Sequence, residues 1–75
     1  MLNITYGDNL NRSVAFADEN TTVNDFIAAN NFDAGTRSIT LNGNTLSEAQ
    51  KNMTFAALGV TERASLLAIA RKDNA

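Results

Sequence analysis

Few residues in this chain could carry out chemistry. Its 75 residues include no His and no Cys. A Ser-His-Asp or Cys-His nucleophile would lack its base, and a structural zinc site would lack its ligands. What remains are oxygen donors, and they gather in "DENTTVND", Asp18 to Asp25. A calcium loop of the EF-hand kind starting at Asp18 needs Gly at its sixth position and Glu at its twelfth. The chain has Val23 and Ala29 there. Asp18 and Glu19 are adjacent, so in extended backbone their side chains diverge and do not form an acid/base pair. "DAGTRS" contains a glycine but neither the spacing nor the lysine of a phosphate loop. This inventory predicts a protein that is not an enzyme and that uses neither metal nor cofactor.

Charge narrows the partners. Six Lys and Arg face eight Asp and Glu, for a net charge of −2 and a pI near 4.7. Dispersed bases on an acidic chain do not suit nucleic acid. Apolar residues make up 44%, too many for a disordered polar chain, and the eleven Asn are scattered. No stretch suits a signal peptide or a membrane span. Together with the lack of Cys, this predicts a cytoplasmic protein. The expected organisation is one domain over residues 1–75, held by packing alone, with residues 73–75 as a disordered tail.

The elements that must position any site follow from periodicity. "MLNITY" alternates Leu2, Ile4 and Tyr6 against Asn3 and Thr5, the period of a half-buried strand. "GDNLN", Gly7 to Asn11, is turn chemistry, and "RSVAF" resumes the alternation through Val14 and Phe16. A hairpin with a five-residue turn is expected, with Phe16 among the core aromatics beside Phe26, Phe32 and Phe55. "TTVNDFIAANN" switches to helical period, with Val23, Phe26 and Ile27 on one face. Thr22 suits the N-cap, Asp25 stands three residues on, and Asn30 and Asn31 suit the end. "SITLNGNTL" predicts a strand through Ile39 and Leu41, an Asn42-Gly43 turn with positive φ, and a short strand near Thr45 and Leu46. A short helix is expected over Thr54 to Leu58, although one beginning at Ser47 is also compatible. "ASLLAIARK" closes the chain as a strand with Leu67 and Ile69 inward and Leu66, Ala68 and Ala70 outward. The fold class is α+β, one sheet with one main helix packed across it.

That order resembles the ubiquitin-like β-grasp superfamily, including the small ubiquitin-like proteins of bacteria. The opening hairpin, "TTVNDFIAAN", "RSITLNGNTLSE" and "MTFAALGVTERASLLAIARK" carry the resemblance, which spans roughly residues 1 to 72. It rests on order and spacing and speaks more to fold than to function. It implies a mixed sheet of four to five strands in the order 2-1-5-3-4, with the last strand central and parallel to the first. It also implies two possible roles. Modifiers and sulfur carriers of this group are activated at a C-terminal Gly-Gly, and this chain ends Lys72-Asp73-Asn74-Ala75 with no adjacent glycines anywhere. A C-terminally activated modifier or carrier is therefore the alternative reading. The leading one is a non-catalytic module that binds another protein, neither nucleic acid nor membrane, through the outer face of its sheet.

On that face the expected contact residues are Thr5, Thr40, Leu66, Ala68 and Ala70, where Leu66 would stand exposed beside small neighbours. Arg37 precedes the third strand, and Arg71 and Lys72 follow the last, so the three bases are expected to gather at one rim and steer an acidic partner. The chain is expected to be a monomer. Arg12 stands near one sheet edge, and Asn42 and Asn44 near the other, where they discourage edge pairing.

Overall fold

The alternation of Leu2, Ile4 and Tyr6 with Asn3 and Thr5 forms the first strand, β1 (Leu2–Gly7), in a computed structural model that describes residues 1–8, 10–32 and 37–69. Leu2 and Ile4 are buried while Asn3 is exposed, which is the expected division. β2 (Arg12–Ala17) returns antiparallel to it, from Leu2↔Ala17 to Gly7↔Arg12. Gly7 thus belongs to β1, and the connection is residues 8–11, one residue shorter than the expected turn. The Asp8 N–H donates to the Asn11 carbonyl at 3.0 Å, and Asp8 Oδ1 accepts the N–H groups of Leu10 and Asn11. Gly7 has φ 138°, and a Cβ there would run into the Asn11 carbonyl oxygen, so this turn requires glycine.

The helix α1 (Val23–Ala29) follows the sequence closely. Thr22 is the N-cap, and its hydroxyl accepts the Asp25 N–H. Asn30 caps the C-terminus, and Asn31 takes the left-handed conformation at φ 51°. A helix of seven residues cannot persist alone. It holds because Val23 and Phe26 are buried against the sheet, with Phe26 edge-on to Tyr6 and to Phe55 at centroid distances of 5.4 and 5.6 Å.

β3 (Ser38–Leu41) and β4 (Asn44–Thr45) form the second hairpin. Asn42 and Gly43 both have positive φ, 51° and 89°, as the turn type demands. α2 (Glu48–Lys51) is where the sequence was ambiguous. Ser47 and Gln50 make a reciprocal capping box there. The expected helix over Thr54 to Leu58 is a single turn, in which the Leu58 N–H donates to the Thr54 carbonyl before the chain closes at Gly59, φ 89°, with the Val60 N–H on the Phe55 carbonyl. Thr54 bridges Thr22, Phe55 N–H donates to the Thr21 carbonyl, and Ala56 N–H donates to Glu19. These bonds fasten the start of α1 to the chain that feeds the last strand.

That strand, β5 (Arg63–Ile69), lies parallel to β1 and antiparallel to β3. The sheet order is β2-β1-β5-β3-β4, a mixed five-stranded sheet with the last strand in the middle. This is the α+β arrangement expected from the sequence, with β2 and β4 at the edges. One core fills the space between sheet and helix. Phe26, Phe55, Ile4, Leu66 and Val23 are its largest fully buried side chains.

Candidate docking surface

The pairing registers settle which residues share each side of the sheet. On the outer side, away from the core, cross-strand partners form rows. Phe16, Asn3 and Arg63 make one row, and Val14, Thr5 and Ser65 make the next. Arg12, Gly7, Leu67, Thr40 and Thr45 make the third, and Ile69 and Ser38 the fourth. The inner side carries Leu2, Ile4, Ala64, Leu66, Ala68, Ile39 and Leu41, all buried.

This arrangement corrects half of the expected surface. Leu66 and Ala68 are 0% and 1% exposed and belong to the core. Their neighbours Leu67 and Ile69, expected inward, are half-buried on the outer side. A nearly continuous apolar strand carries no alternation of its own to say which side is which. The signal was in its flank, where polar Arg63 and Ser65 have the parity of Leu67 and Ile69. Thr5 does lie on the outer side and is half-exposed. Thr40 lies there too, but it is 5% exposed, between its partners Leu67 and Thr45, and its hydroxyl donates to the Leu67 carbonyl at 3.3 Å. Ala70, Arg71 and Lys72 fall outside the described residues.

A second correction supplies what the first removes. Phe16, expected in the core, is 67% exposed, and Val14 is 62% exposed. The inner side of β2 instead presents Ser13, Ala15 and Ala17. The cause is the short turn. Pairing Gly7 with Arg12 rather than Tyr6 with Arg12 slips the register by one residue, and one residue turns every side chain of β2 over.

The outer side therefore has an apolar centre at Val14 and Phe16, flanked by Arg12 and Arg63. Among the described residues its strands place no acidic side chain there. On a chain of net charge −2 this is a local reversal of sign. A depression lined by Asn3, Thr5, Val14, Arg63 and Ser65 opens on the same side.

Arg37 stands at the end of the sheet nearest the first turn. Its guanidinium is 3.2 Å from Asp8 Oδ2. Backbone N–H groups of Asn11 and Leu10, with Arg37 behind them, hold the Asp8 carboxyl below its ordinary value of 3.8. Arg37 is thus engaged within the chain and not simply offered to a partner. Elsewhere, Lys51 pairs with Glu48 on α2 at 2.9 Å. Among the described residues no three His, Cys, Asp or Glu are placed to hold a metal, and no helix is long and apolar enough to cross a membrane.

Comparison with family models, with curated proteins and with solved structures finds no match.

Proposed function

We propose that this chain is a non-catalytic, ubiquitin-like module that binds another protein through the outer side of its sheet. The observation that carries the reading is the exposed pair Val14 and Phe16 between Arg12 and Arg63. Isolated exposed apolar residues are ordinary on protein surfaces, but two bulky ones on the same side of one strand form a patch. Aromatic and Arg side chains are also the types most enriched where protein contacts concentrate their energy.

The partner chemistry follows from the same residues. An apolar protein surface fringed with carboxylates would fill against Phe16 and Val14 and pair with the two guanidiniums. The strand order and the resemblance of the sequence to ubiquitin-like proteins support the family part of the reading.

The test is affinity capture from the source cell with wild type, a Val14→Asp/Phe16→Asp variant and a control changed on the opposite side, Ala28→Glu. Wild type and control should recover the same partner, and the outer-side variant should lose it. Equal recovery by all three would remove the surface from consideration.

A further inference from the structure

The edges of the sheet are unequal. β4 has two residues, whereas β2 has six in unbroken register with β1. β2 holds no proline, and its one charge is Arg12 at its start. Soluble monomers normally blunt an edge of this length with Lys, Pro, a bulge or a covering segment.

The backbone groups of that edge can be assigned. Asn3 N–H donates to Glu62, on the side of β5, and Asp8 N–H donates to Asn11, on the side of β2. Backbone direction alternates along a strand, so Leu2, Ile4 and Tyr6 face β2. Their partners Ala17, Ala15 and Ser13 face back. The N–H and C=O groups of Arg12, Val14 and Phe16 point away from the sheet.

We propose that two copies of this chain associate through β2, antiparallel, about a two-fold axis at Ala15. In that register Val14 faces Phe16 of the second copy in a mutually hydrogen-bonded pair, twice over. The outward backbone groups of each copy meet the other's. Arg12 faces Asp18 of the second copy, also twice. Opposite charges and aromatic–β-branched pairs are the cross-strand partners that stabilise a ladder. Asp18 Oδ1 accepts the Asn20 N–H at 2.8 Å, which holds this carboxylate just past the strand end.

The neighbouring registers that also match the outward backbone groups are poorer. An axis at Val14 sets Arg12 against Phe16, and an axis at Phe16 sets Val14 against Asp18. The favoured register replaces the monomer expected from the sequence with a ten-stranded sheet, in which both copies' Val14 and Phe16 form one strip on the outer side. A contact of one strand is small, so the association belongs to the weak, concentration-dependent class.

Sedimentation equilibrium on the full chain over a hundredfold concentration range tests this. The mass should climb from the 8.0 kDa of one chain toward twice that value. Arg12→Asp alone and Asp18→Arg alone should each weaken association by roughly tenfold, since each sets like charges face to face. The double swap R12D/D18R should restore it. Amide exchange at Val14 and Phe16 should slow as the dimer forms. A mass that stays at one chain overturns the proposal and leaves the edge to an extended segment of a different protein. Association without slowed exchange at these two amides, or a double swap no better than either single one, overturns it equally.

Discussion

Asp8 shows how much one side chain can organise. It accepts two backbone N–H groups of its own turn and reaches across to Arg37, so it ties the first hairpin to the start of β3. Because these donors favour the carboxylate, the folded pKa lies below the ordinary 3.8. A group depressed in the folded state binds protons more readily when unfolded. Its contribution is therefore complete above 3.8 and fades as pH falls through the folded value. Urea midpoints of wild type and Asp8→Asn should differ near neutral pH and draw together below 3.8. A gap that stays constant down to about pH 2 would show that the carboxylate's charge is not what matters. None of this was legible in the sequence beyond the turn character of "GDNLN", because the partner is Arg37, far along the chain.

At the scale of elements, the β1–β2 register is the decisive fact. It sends Phe16 out, while helix periodicity sends Phe26 in, although both were expected in the core. Phe26→Ala should cost about 3–5 kcal/mol of stability, as large-to-small changes in a packed core do. Phe16→Ala should cost under about 0.5 kcal/mol, as surface changes do. Equal costs from chemical denaturation would mean that β2 is paired one residue away from Gly7↔Arg12. α1 was legible almost residue by residue, because its cap, its apolar stripe and its terminal asparagines are all local signals. The Asn42-Gly43 hairpin was legible for the same reason. There the Asn42 Oδ1 and N–H also bond Ser65 and extend the ladder to β5. The inward side of β5 was not legible from its apolar run, and residues 54–58 form only one turn because the chain closes at Gly59, where the Val60 N–H returns to the Phe55 carbonyl.

For the whole molecule, sheet order was implied by the resemblance that the order of elements carries, whereas the identity of the surface depended on two parities that propensity does not decide. With β2 and β5 both turned over, the small, mild face anticipated around Leu66 and Ala68 becomes an aromatic and basic one around Phe16, Val14, Arg12 and Arg63. The docking role proposed above therefore rests on different residues from those expected. The core gains Leu66 in the central strand, under the helix, where the loss of a large side chain would be felt most.

The absence of native Cys makes this assignment directly measurable, because any introduced thiol is the only one. Single variants Phe16→Cys and Ala68→Cys, treated with a water-soluble maleimide under native conditions, report the two sides of the sheet. The thiol at position 16 should react as fast as in the unfolded chain, and the thiol at position 68 only as fast as the protein opens. A protected thiol at 16, or a freely reactive one at 68 in a chain that is still folded, would contradict the outer side described above and every role assigned to it.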